Sequence, residues 1–189
     1  MSNTQSPVMV SLEFTPNPNT LKYVVNRQLI KSGAANFPNA QEAEKSPLAK
    51  KLFTIPGMDG VMIGRDFVTI TKGSGGDWEA LNRLSTETIK THLTNNETIV
   101  DEAFLNAAPL SGGTSEIEDK IRKILDEQIR PAVAMDGGDI TLERFEDGVV
   151  YVYLQGSCSG CPSSTATLKM GIETRLKEAI PEVREVVSI

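Results

Sequence analysis

The stretch from Asn95 to Ser115 does most to limit what this 189-residue chain can fold into. It is polar and rich in small residues, with Pro109 and Gly112-Gly113 late in it, which is the chemistry of a linker. A linker there leaves each side to bury its own apolar surface. We therefore expect an N-terminal domain over 1–97, a flexible linker over 98–115 and a C-terminal domain over 116–189. Ser115-Glu116-Ile117-Glu118 carries the residues of a capping box, in which Ser115 and Glu118 satisfy each other's backbone donors, so a helix starts there.

In the C-terminal half, Ile117, Ile121, Ile124, Leu125 and Ile129 recur at three- and four-residue steps and form one apolar stripe. Pro131 ends or kinks that helix. Ile140 and Leu142 mark a strand, Glu146-Asp147-Gly148 is hairpin-turn chemistry, and Val149 to Leu154 form a β-branched and aromatic strand. Ser163 to Ala179 reads as a helix with Leu168, Ile172, Leu176 and Ala179 on one side, and Pro181 stops it. Val183, Val186, Val187 and Ile189 supply a last strand, giving the order α-β-β-α-β.

The N-terminal half is less regular. Val8 to Phe14 and Leu21 to Val25 read as strands, separated by Thr15-Pro16-Asn17-Pro18-Asn19, where two prolines deny a helix. Ser46-Pro47 begins a short helix through Leu52-Phe53, with Pro47 at its first position. Gly60 to Ile63 and Phe67 to Thr71 are β-rich runs joined at Gly64-Arg65-Asp66. Asp77 opens a helix to Asn95 whose inward residues are Trp78, Leu81, Leu84, Thr88 and Ile89. The fold class expected is α+β, two small α/β-layer domains joined by a linker.

Charge narrows the partners. The chain carries a net charge of −6, and residues 116–189 hold 14 acidic against 9 basic side chains. Nucleic acid demands clustered Lys and Arg, so it is excluded as a partner. The first ten residues lack a basic n-region and an Arg-rich pattern, and no segment reaches the roughly 20 apolar residues of a membrane helix. The sequence reads as cytoplasmic, a reading that a processed mitochondrial form shares.

Both cysteines lie in Gly156-Ser157-Cys158-Ser159-Gly160-Cys161-Pro162, between a strand and a helix. Pro162 suits the first helical position, so the thiols sit at a helix N-terminus, where exposed N–H groups favour thiolate and other anions. Gly156 and Gly160 let backbone amides come close to the sulfurs. Two thiolates hold half of a tetrahedral zinc or cubane site, which usually takes four protein ligands. His92, the only histidine, is far away in sequence. Two copies of the chain are the simplest source of four sulfurs. A thioredoxin-type thiol–disulfide oxidoreductase is the rival, because its CxxC also sits at a strand-to-helix junction. The lack of an aromatic before Cys158 and of proline between the cysteines favours metal or cluster binding, and a zinc-bridged dimer is a third reading.

Pro131, Met135-Asp136-Gly137-Gly138-Asp139-Ile140, Leu154-Gln155-Gly156-Ser157-Cys158-Ser159-Gly160-Cys161-Pro162-Ser163-Ser164 and Thr167-Leu168-Lys169-Met170-Gly171-Ile172-Glu173 together resemble the Nfu domain, a NifU C-terminal-like iron–sulfur family. Thr15-Pro16-Asn17-Pro18-Asn19, Ser46-Pro47-Leu48-Ala49, Leu52-Phe53 and Gly64-Arg65-Asp66-Phe67-Val68-Thr69-Ile70-Thr71-Lys72 resemble the Nfu N-terminal accessory domain. The resemblance implies a scaffold or carrier, not an enzyme, that binds a [4Fe-4S] cluster between two subunits and transfers it to apo-acceptor proteins. It carries over to Cys158 and Cys161 as the ligands of iron. It implies a homodimer when the cluster is bound, with apo iron–sulfur acceptor proteins and upstream cluster-assembly proteins as partners. The cysteine-free first half would serve as a docking module.

The remaining motifs read blandly. Asp136-Gly137-Gly138-Asp139 is a turn whose glycines allow positive φ and close approach, with aspartates that solvate or cap it. His92 reads as a rim or surface residue. Gly73-Ser74-Gly75-Gly76 has no Lys-Ser/Thr after it and reads as a turn, not a phosphate loop. No Ser-His-Asp set can be assembled.

Overall fold

The computed structural model describes residues 6–101, 104, 115–159 and 162–189, without the side chains of 162–165. Most of the expected linker, together with Gly160 and Cys161, lies outside the described residues. The chain forms two compact units, Met1–Phe14 with Asn19–Asn106 and Thr15–Pro18 with Ala107–Ile189. Both are α+β.

The first unit is built on an antiparallel five-stranded sheet in the order β1-β2-β5-β4-β3. Its strands are β1 (Val10–Phe14), β2 (Thr20–Val25), β3 (Ala35–Phe37), β4 (Met58–Ile63) and β5 (Phe67–Lys72). β3 carries no periodic signal and is held by pairing Ala35 with Ile63 and Phe37 with Val61. Helix α1 (Pro47–Phe53) is capped by Ser46, whose hydroxyl accepts from the Ala49 N–H. Helix α2 (Trp78–Thr94) is capped by Asp77, which accepts from the Ala80 N–H. Tyr23, Phe37, Leu48, Leu52, Ile63, Ile70, Leu81 and Ile89 are fully buried in this core.

The inward face of α2 is rotated from the one expected. It consists of Leu81, Ser85, Ile89, His92 and Leu93, while Leu84 and Thr88 are half-buried. His92 is therefore no rim residue; its relative exposure is 0%. Its Nε2 lies 2.9 Å from the Thr98 carbonyl, which can only accept, so Nε2 carries the proton. Burial lowers the pKa of His92 below 6.5, with Lys51 acting the same way and the Thr98 bond and Glu97 opposing. The side chain is thus a neutral structural strut that ties α2 to the segment after it.

The second unit carries a three-stranded sheet in the order β6-β7-β8. β6 (Gly138–Glu146) and β7 (Val149–Gly156) form a hairpin, and β8 (Glu185–Ser188) returns parallel to β7. The hairpin turn places Asp147 at φ 49° and Gly148 at φ 83°, the two positive values of a type I′ turn. Helices α3 (Glu116–Ile124), α4 (Arg130–Met135) and α5 (Pro162–Ala179) complete the unit. Ile121, Leu125, Val133, Ile140, Val150, Val152, Ile172, Leu176 and Val186 make the core.

Two local expectations change. Ser115 caps α3 by accepting from the Glu118 N–H at 3.2 Å, but the Glu118 side chain does not reach back. It turns inward, and one carboxylate oxygen accepts from the Phe145 N–H at 3.1 Å. Pro131 does not end the helix either. Leu125–Ile129 widen into a π turn, with the Arg130 N–H bonded to the Leu125 carbonyl five residues back. The wider turn accommodates the missing N–H and the ring of Pro131, and the helix runs on to Met135 with Val133 buried.

Candidate metal centre

The cysteine loop is held by its backbone and by a second segment that lies against it. β7 ends at Gly156, whose φ of 64° turns the chain out of the sheet. The Ser159 N–H donates to the Gly156 carbonyl at 3.1 Å, closing a turn around Cys158. The Ser157 N–H donates to the Gly137 carbonyl at 3.2 Å, and the Ser157 hydroxyl donates to the Asp136 carbonyl. α5 starts at Pro162, so its N-terminal end follows the loop directly, as the sequence indicated.

Gly138 is the floor of the loop. A Cβ built there would stand 2.4 Å from the Cys158 sulfur and 3.0 Å from the Gln155 carbonyl oxygen. Gly138 also pairs with Gly156 in the β6–β7 register, so the two strands meet where neither has a side chain. Gly137, at φ 78°, makes the bend that brings its carbonyl to Ser157. The close approach and positive φ expected of the two glycines are both present.

The aspartates of that turn part company. Asp136 is exposed, whereas Asp139 is 5% exposed and paired with Arg130 in fork geometry, Nε to Oδ1 and Nη2 to Oδ2, both 2.9 Å. Asp139 therefore neither solvates nor caps the turn, and the two carboxylates do not form a metal site. Arg130 also reaches Asp126 at 2.8 Å. Burial alone would lower the Arg130 pKa, but its bonds to Asp139 and the charges of Asp139 and Asp126 prevail and raise it. The pair ties the start of β6 to α4. The Arg130 side chain is 26% exposed and that of Asp139 7%, so removing Arg130 would leave a buried carboxylate without its partner.

Cys158 is 4% exposed and belongs to the core of the second unit. Its sulfur lies over Gly138, 3.9 Å from the Ser157 hydroxyl. Cys161, the other expected ligand, is outside the described residues. Among the described residues no three His, Cys, Asp or Glu side chains gather closely enough to hold a metal ion. Sequence reasoning passed over Arg130, Ser157 and Asn17. The one signal available in the sequence was the placing of Asn17 between two prolines; in the structure it is 7% exposed while both prolines are exposed.

An α+β unit without cysteines, followed by a unit in which a hairpin leads into a thiol loop and a helix that returns a strand parallel to the hairpin, defines a two-part α+β architecture. Comparisons with known proteins give it a family. The NifU-like domain model matches residues 121–187, and the scaffold protein Nfu/NifU N-terminal model matches residues 10–96. The NFU1 iron-sulfur cluster scaffold homolog of Homo sapiens is 39% identical over 180 residues, covering 95% of this chain and 71% of its own length. A NifU-like protein of Schizosaccharomyces pombe is 35% identical, covering 96% of this chain and 73% of its own length. NifU-like protein 4 of Arabidopsis thaliana is 37% identical over 184 residues, covering 95% and 65% respectively. The chain belongs to the Nfu family. The human and Arabidopsis relatives are named as mitochondrial proteins, where the sequence alone read as cytoplasmic.

Proposed function

We propose that the protein is a non-enzymatic iron–sulfur cluster scaffold or carrier. Two chains hold one [4Fe-4S] cluster as cargo, each supplying Cys158 and Cys161. The observation that carries this reading is the pairing of both cysteines of the chain in one shaped loop, in a family whose relatives are named as iron-sulfur cluster scaffolds. One chain has two thiols where a cubane wants four ligands, so a two-fold arrangement completes the set. Met135, which precedes the Asp136 whose carbonyl accepts from Ser157, is 76% exposed and leaves apolar surface for a second chain to cover. A cargo held at such an edge is open to solvent and readily surrendered to apo-acceptor proteins. Upstream cluster-assembly proteins would load it, and the cysteine-free first unit would dock acceptors. Reduced thiols require a reducing compartment, whether cytoplasm or mitochondrial matrix. Among the described residues no helix is long and apolar enough to cross a membrane.

Thiol–disulfide exchange is the rival reading, and the family's relatives, named as iron-sulfur cluster scaffolds, favour the carrier over it. Anaerobic reconstitution of the full chain with ferrous iron and sulfide is the test. We expect roughly four iron and four sulfide per two chains, with broad absorption near 400 nm, as cubane chemistry dictates. Disulfide reductase turnover without iron would overturn the reading, and so would stoichiometric zinc in protein purified without air.

A further inference from the structure

Residues Thr15–Pro18 lie between β1 and β2 in sequence, yet they belong to the second unit. Within that unit the Asn17 side chain is 7% exposed. Its Nδ2 donates to the Ser157 carbonyl at 3.2 Å and to the Ser159 carbonyl at 3.3 Å. Both acceptors are carbonyls, so the group facing them is the amide NH2 and the orientation of the carboxamide follows. One side chain thus grips the two carbonyls that flank Cys158.

The grip is pre-organised. Pro16 and Pro18 fix φ on either side of Asn17, and the Thr15 hydroxyl donates to the Asn17 carbonyl at 2.9 Å. Little entropy is lost in presenting the amide. The peptide between Ser157 and Cys158 is planar, so anchoring the Ser157 carbonyl places the N and Cα of Cys158. With Ser159 anchored as well, the loop is held with the sulfur turned into the core over Gly138. A sulfur buried there cannot bridge to a second chain. The loop has to turn outward before Cys158 can ligate a shared cluster.

We propose that Asn17 is a positioning residue of the cysteine loop. It latches the loop in a closed form that buries Cys158, and cargo is taken up when the latch lets go. The same bonds, remade as cargo leaves, lower the affinity for cargo by the fraction of loops that are open and so favour its release. This role rests on the cluster-carrier reading above, but its test does not need a cluster.

The experiment measures alkylation of Cys158 by iodoacetamide in metal-free, full-length protein, with Cys161→Ser as the common background so that Cys158 is the sole thiol. A buried thiol reacts through the open population of its loop, so the rate reports the latch directly. Asn17→Ala and Asn17→Asp, the latter isosteric but unable to donate, should each raise the rate roughly tenfold, the equivalent of about 1.4 kcal/mol. Far-UV circular dichroism, to which both units contribute, reports whether each variant stays folded. Alkylation at the background rate in both variants would overturn the latch. So would a rate increase confined to a variant whose circular dichroism shows unfolding. Failure of reconstitution in the unmodified protein would instead strike the carrier reading and leave this measurement standing.

Discussion

Cys158→Ser and Cys161→Ser should each abolish stable cluster binding. With ligands shared two and two, either substitution removes two of the four sulfurs from every dimer, and a hydroxyl is a poor substitute for thiolate on iron. The two variants should nevertheless remain folded. Cys158 is part of the core of the second unit, so a serine hydroxyl over Gly138 costs roughly 1–3 kcal/mol of its stability. That is a fraction of the roughly 5–15 kcal/mol typical of a folded protein. Iron and sulfide analysis after anaerobic reconstitution, with circular dichroism on the same samples, checks both halves. A cluster carried at full stoichiometry by either variant would contradict the ligand assignment.

Gly138→Ala should destabilise the second unit, although it adds one methyl group. The new Cβ would stand 2.4 Å from the Cys158 sulfur, a distance no relaxed contact reaches, and 3.0 Å from the Gln155 backbone oxygen. The sulfur can swing away but the backbone cannot do so cheaply. Overpacking of this kind typically costs about 1–3 kcal/mol. Cys158 should also become easier to alkylate, because its resting place is occupied. Gly171 supplies the internal control. It lies within α5 and a Cβ there meets nothing within 4 Å, so Gly171→Ala should stabilise by up to about 1 kcal/mol through helix propensity. Urea unfolding of the two variants, followed by circular dichroism, checks the contrast. Equal midpoints would show that the floor of the loop is not where the structure puts it.

What the sequence made legible was local or chemically rare. The Asp147-Gly148 turn, the Ser46, Asp77 and Ser115 caps and the stripe on α3 each depend on a few adjacent residues, and each is present. Cys158 and Cys161 stood out because no other thiol competes with them. What was missed depends on distant partners. The fork between Arg130 and Asp139 spans α4 and a glycine bend, and Asn17 reaches Ser157 across 140 residues. Glycine and serine around Cys158 speak of a loop. Whether that loop packs into a core is decided by Gly138 on another strand. Pro131 reads as a helix end or kink because its own chemistry says so, and of the two the end is not realised: a π turn precedes it and burial of Val133 beyond it favours continuation.

The central claim is a cluster shared between two chains, and sedimentation velocity recorded at 280 and 400 nm tests it most directly. Unmodified full-length protein is compared before and after anaerobic reconstitution. The metal-free chain should sediment mainly as a 20.5 kDa monomer. After loading, the 400 nm signal should travel only with a species of twice that mass. A 400 nm chromophore that sediments with the monomer, at full iron content, would contradict the account.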